Sequence, residues 1–86
     1  MLVMPTIKGF ENKKGFRFFF TSHDWGEEAH IHAEGSSGIM KVRLRDLQVE
    51  YSRGLKYSEE RTILEIAEAN QSYFQKEWKK FFQRTR

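Results

Sequence analysis

The sequence predicts an α+β domain, an antiparallel sheet of four to five strands with one face covered by a C-terminal helix or helix pair. Three observations predict it. In separate segments between Phe16 and Tyr51 (Phe16–Phe20, Ile31–Ala33, Met40–Leu44 and Leu47–Tyr51) apolar side chains recur at every second position, the period of half-buried strands. From Ser58 onward they recur at every third or fourth, the period of an amphipathic helix. Between these stretches the chain is punctuated by short runs rich in glycine, serine and asparagine, where turns form.

Met4-Pro5-Thr6-Ile7-Lys8-Gly9-Phe10 is expected to open a short strand, with Pro5 at its start because proline cannot donate to a ladder. Glu11 to Gly15 reads as a hairpin loop. Gly15 to Thr21 reads as the second strand, with Phe16, Phe18 and Phe20 turned to the core and Arg17 and Phe19 turned away. A polar loop, Ser22 to Glu28, carries His23, Asp24 and Trp25; the tryptophan is expected to close the edge of the core. Ala29 to Glu34 alternates again, with Ile31 and Ala33 inward and His30, His32 and Glu34 outward. After the turn Gly35-Ser36-Ser37-Gly38, inward Met40, Val42 and Leu44 interleave with outward Lys41, Arg43 and Arg45. Leu47, Val49 and Tyr51 continue a fifth strand or an extended arm, which Ser52-Arg53-Gly54 breaks.

Ile63, Ala67, Phe74, Trp78, Phe81 and Phe82 then form one helical stripe. Ser58 is the expected N-cap, with Glu59 and Glu60 complementing the helix dipole. A straight helix from Ser58 to Gln83 would be about 39 Å long, whereas strands of six or seven residues span only ~20–23 Å. The mismatch is resolved either by a break near Asn70, where Ser72 and Gln75 have capping-box spacing, or by packing the aromatic end on another protomer. The break is favoured.

At 86 residues the chain is a single domain over 1–86. A chain this short buries only about 60% of the surface its unfolded form exposes, so a partner protein or self-association is expected. The absence of cysteine excludes disulfides and thiolate metal sites. The opening MLVMPTIK lacks the pattern of a signal peptide, and no run of residues is apolar and long enough to span a membrane. The expectation is a soluble, cytoplasmic protein with no membrane association. A net charge of +3 is too small for a dedicated duplex-DNA binder, so the distribution of charge matters more than its sum.

The chemistry is expected on the sheet face opposite the core. The tight turn at 35–38 makes the strands on either side neighbours, so alternation sets His30 and His32 beside Lys41, Arg43 and Arg45, with Arg17 and Phe19 on the next strand. Three readings follow. The cations could hold phosphate and Phe19 could stack a base, which makes Arg17, Phe19, Lys41, Arg43 and Arg45 the candidate surface for RNA or another nucleic acid. His30 and His32 could serve as catalytic acid and base in an RNase-like enzyme, with Lys41 or Arg43 on the phosphate. His30 and His32, separated by one strand residue, could also hold a divalent metal such as zinc, with His23, Asp24, Glu27 or Glu34 completing the set. The neighbouring cations oppose a metal and favour an anion; no cofactor is otherwise implied. The bland alternatives are two half-exposed strand histidines hydrogen-bonded to their neighbours and a solvated row of cations. Lys76, Lys79, Lys80, Arg84 and Arg86 read as a solvated helix end.

The segments Met4-Pro5-Thr6-Ile7, Phe16-Arg17-Phe18-Phe19-Phe20 and Ser22 through His30-Ile31-His32, with Ile63-Leu64-Glu65 through Glu77-Trp78, resemble the domain-of-unknown-function 4160 family of small bacterial proteins. The likeness covers about residues 4 to 82 and suggests Met4 as an original start. Family members carry an Asp-His pair in the loop and a Pro-Pro pair before the HxH motif. Here Trp25 follows Asp24, and Glu28-Ala29 stands where the prolines would be, so His23 would have to replace the loop histidine. The resemblance implies one half of a two-gene module of the toxin–antitoxin kind. The leading expectation is therefore a binding module acting through a partner protein or nucleic acid, ahead of the RNase-like and metal-binding alternatives.

Overall fold

The computed structural model describes residues 6–21 and 26–84, with side chains as far as residue 82. Among these, β1 (Arg17–Phe19), β2 (His30–Glu34), β3 (Ile39–Arg43) and β4 (Val49–Arg53) precede α1 (Tyr57–Ala69) and α2 (Gln71–Arg84). The strands form one antiparallel sheet in the order β1-β2-β3-β4. The expected α+β architecture, with a helix pair, is the one observed.

Alternation is obeyed wherever a strand is flanked on both sides. Phe16, Phe18, Phe20, Ile31, Ala33, Met40, Val42 and Leu44 are all buried, and with Ile7, Phe10, Ile63, Ile66 and Phe74 they make one core. Both helices therefore cover the same sheet face. The hairpin before β1 closes through reciprocal backbone bonds between Lys13 and Phe16. Lys14 and Gly15 at its tip have φ of 53° and 90°, the left-handed pair whose twist matches that of the flanking strands.

Several elements differ from expectation. Within the expected Met4–Phe10 strand, Met4 and Pro5 lie outside the described residues. The rest forms a single bridge, Thr6 to Phe19, then a turn closed by Phe10 N–H on Ile7 O. Phe18 N–H donates to Phe10 O and Ile7 N–H to Phe18 O, so this segment covers the outer edge of β1 without continuing the ladder. In β4 the alternation fails. Tyr51 opposes Lys41 while Val49 opposes Val42, leaving Glu50 as an extra residue. Such a bulge flips the strand: Val49 packs against the core, and Tyr51 faces the other way with Lys41. β3 also ends at Arg43, and Leu44 to Asp46 form a turn, so Arg45 is not a strand residue.

The length mismatch is resolved by the break at Asn70. The Asn70 main-chain and side-chain N–H groups both donate to Ile66 O, at 3.1 and 2.8 Å, closing α1. The start of α1 lies two residues before the expected Ser58 cap, at Lys56, whose N–H donates to Glu59 Oε1 at 2.8 Å. That bond, then the Ser37 hydroxyl, holds the Glu59 carboxyl below its ordinary range. No Ser72–Gln75 capping box forms, because α2 has already begun at Gln71. The side-chain amides of Gln71 and Gln75 instead donate to Leu44 O, a carbonyl that leaves the ladder as the chain turns after β3. This ties the first turn of α2 to the end of the sheet. No helix among the described residues is long and apolar enough to cross a membrane.

Candidate functional site

The face opposite the core is organised in cross-strand rows. Phe19, His32, Lys41 and Tyr51 oppose one another across all four strands, as do Arg17, Glu34, Ile39 and Arg53. His30 opposes Arg43. The turn at 35–38 thus brings the histidines beside Lys41 and Arg43 in the expected register. Arg17 and Phe19 join them from β1. Arg45, exposed in the turn after β3, does not.

This face is not open at its centre. His30 is 1% exposed, His32 6% and Phe19 1%, so the expectation of half-exposed histidines and a stacking-ready phenylalanine is corrected. The physical reason is a continuous aromatic stack. The Arg17 guanidinium lies 4.2 Å from the Phe19 ring centre, and Phe19 stacks on His32 at 5.2 Å. His32 meets His30 edge-on at 5.0 Å, and His30 meets Trp78 of α2 at 5.0 Å. Trp78 also contacts Phe20, on the core side, at 5.3 Å. It therefore bridges the two faces at one end of the sheet. The helical stripe had marked Trp78 as core, but periodicity along α2 carries no information about a sheet residue on the far face.

The imidazole of His30 is held by a local contact, its Nδ1 lying 2.9 Å from Glu28 O. A carbonyl only accepts, so Nδ1 carries a proton, and in the neutral ring the lone pair is then on Nε2. A histidine that binds metal commonly donates its other nitrogen in this way. Glu27 Oε1 is 3.8 Å from the same Nδ1. His30 and His32 could supply two metal ligands. No group of three histidine or carboxylate ligands assembles among the described residues, and His23, Asp24 and Trp25 lie outside them. Glu34, another candidate third ligand, is paired with Arg17 at 3.1 Å.

Each cation expected to hold phosphate already has a carboxylate, whereas Arg53 lies over the Tyr51 ring at 5.3 Å. Lys41 Nζ lies 3.1 Å from Glu27 and 3.3 Å from Glu50. Burial works against its charge, but the two carboxylates more than offset that and its pKa is raised. Arg43 forks onto Asp46, Nε to Oδ1 at 2.9 Å and a terminal nitrogen to Oδ2 at 2.8 Å, and Arg45 pairs with Glu28 at 2.8 Å. The sequence contained these acids but gave no sign of the pairing, since Glu27, Glu28 and Asp46 sit in loops that fold back onto the strands.

The Arg43 fork holds the Asp46 carboxyl at about 2, below its ordinary 3.8. A depressed carboxylate contributes stability that is present above its unfolded pKa and lost as pH falls through the folded one. Asp46→Asn should therefore lower the urea midpoint at neutral pH, and the gap to wild type should narrow as pH drops from about 4 toward 2. A gap that stays constant over that range would show that the fork does not govern Asp46 ionisation.

No curated protein and no solved structure matches the chain. The family model described as "Domain of unknown function (DUF4160)" matches residues 15–79, from the hairpin before β1 into α2. The matched range holds the whole sheet, the HxH strand and Trp78, the elements that build the stacked face. The chain belongs to the DUF4160 family.

Proposed function

We propose that the protein is a non-enzymatic binding module that acts through a protein partner, as one half of a two-gene pair of the toxin–antitoxin kind. The observation that carries this reading is the closure of the histidine face. An acid–base pair acting on RNA needs its imidazoles within reach of a phosphodiester and cations free to hold it. Here both imidazoles are buried in an aromatic stack, and Arg17, Lys41, Arg43 and Arg45 are all engaged by carboxylates. Binding phosphate there would first require breaking those pairs. A protein partner makes no such demand.

The test is to co-express the chain with the product of the neighbouring gene and assay the purified chain on single-stranded RNA. The expected result is a stoichiometric complex and no cleavage. Cleavage that His30→Ala or His32→Ala abolishes, with both variants folded by circular dichroism, would replace this reading with the RNase-like one.

A second reading, divalent-metal binding through His30 and His32, is favoured by the Nδ1 contact with Glu28 O, which presents Nε2 as the ligating atom. Zinc titration followed by NMR of the histidine side chains decides it: saturable one-to-one shifts at both rings support a site, and their absence removes it.

A further inference from the structure

The helix layer carries a division of charge that the histidine face does not use. α1 contains four glutamates against one arginine, whereas α2 contains three lysines and an arginine against one glutamate. The two helices are joined through the single residue Asn70 and pack on the same core. The Asn70 N–H bonds Ile66 O and the Phe74 N–H bonds Asn70 O, so the oppositely charged halves follow one another end to end over one face of the sheet. On α1, exposed Arg61, Glu65 and Glu68 follow one another at helical spacing, and Glu68 makes no ion pair with the described residues. On α2, exposed Lys76 and Lys79 likewise make none, while Lys80 pairs with Glu77 at 3.4 Å.

Two further features fall on this layer. Beside α1 runs a groove of about 410 Å³, with Leu47 and Leu64 as its apolar lining and Arg61, Glu65 and Glu68 around them. The exposed large hydrophobic residues among the described ones are Tyr57, 74% exposed, and Tyr73, 38% exposed, in the first turns of α1 and α2. Such residues, next to unmatched charges of both signs, are what an interface presents when it is empty.

We propose that the occupant is a second copy of this chain. Two copies facing each other about a two-fold axis that lies in the plane of the contact and bisects the angle between the helices set each acidic α1 against the lysine-bearing α2 of the other. A two-fold contact is self-complementary, and this one matches opposite charges twice. Lys76 and Lys79 of one copy would meet the Glu65 and Glu68 edge of the other's groove, with the lysine stems lying on its leucines. This surface lies on the other side of the sheet from the histidines, so the proposal stands independently of the reading given above.

The experiment is sedimentation equilibrium on the full chain at low salt. Wild type should dimerise. Glu65→Lys with Glu68→Lys, and separately Lys76→Glu with Lys79→Glu, should each raise the dimer Kd at least about tenfold, because like charges then face each other. All four positions are exposed, and circular dichroism checks that each variant is folded. Mixing the two variants should restore the dimer, since each swapped helix then meets its opposite. A wild type that stays monomeric would leave the groove to a foreign basic segment and overturn the proposal. So would a dimer indifferent to both swaps, or a mixture that fails to re-associate.

Discussion

Gly38→Ala is expected to cost more than about 4 kcal/mol, a size reserved for substitutions that breach a specific structural constraint. At a typical total stability of ~5–15 kcal/mol, that removes from about a quarter to most of what holds the domain folded. A Cβ at residue 38 would overlap the carbonyl oxygen of Arg53 and stand 2.9 Å from the carbonyl carbons of Arg53 and Gly54. All three are backbone atoms at the end of β4, so no side chain can swing aside. Nor can the backbone yield cheaply. Gly38 O accepts from Gly35 N–H at 2.9 Å, and the Ser37 hydroxyl donates to Glu59 at the start of α1. The turn, the end of β4 and the first turn of α1 are thus locked together at one corner. Gly15→Ala is the control. Its φ of 90° disfavours any side chain, but nothing lies within 4 Å of the added Cβ, so only backbone strain of roughly 1–2 kcal/mol is expected. Urea denaturation of both variants separates overlap from strain; equal midpoints would show that the corner opens freely.

The same corner shows what alternation reveals and what it does not. Met40, Val42 and Leu44 announced β3 because a half-buried strand writes its inward face into every second residue. The break at Asn70 was legible for a different reason, the mismatch between a long helix and short strands. The bulge at Glu50 was not legible, because an extra residue is defined only against a partner strand. The Lys56 start of α1 escaped for a related reason. Its cap is a main-chain N–H satisfied by Glu59, and serine at 58 offered a more conventional side chain nearby.

The candidate site was half legible. The register that sets His30 against Arg43 and His32 against Lys41 follows from the short turn between β2 and β3. The conclusion that this face is open did not follow, because alternation assigns a residue to a face and says nothing about what lies over it. The pairing of the cations was hidden for the same reason: Glu27 and Glu28 from the loop before β2, and Asp46 from the turn after β3, neutralise the Lys41, Arg45 and Arg43 that had suggested a phosphate site. An aromatic stack likewise requires knowing that Trp78, four residues after Phe74 on α2, reaches beyond the end of the sheet.

Phe74→Ala is the other substitution with a large expected effect, about 3–5 kcal/mol for deleting a fully buried phenylalanine. Phe74 is fully buried where three parts of the chain meet. Its ring packs edge-on against Phe10 of the N-terminal turn at 4.8 Å and stacks on Phe18 of β1 at 5.6 Å. Phe10 and Phe18 also meet each other at 5.8 Å. The three rings form a closed triangle. Each pair contributes roughly 0.5–1.5 kcal/mol beyond the area buried, so removing Phe74 loses two of the three pairs and leaves a cavity. The helix cannot slide to fill it, because Gln71, about one turn before it, and Gln75, the next residue, both hold Leu44 O. Phe81, only partly buried on the same helix, provides the comparison. Its truncation should cost clearly less, although both residues belong to the stripe read from the sequence. Chemical denaturation of the two variants, with hydrogen exchange across α2, tests the difference. Equal losses would mean that α2 is held by its apolar stripe as a whole, not by the anchor at Phe74.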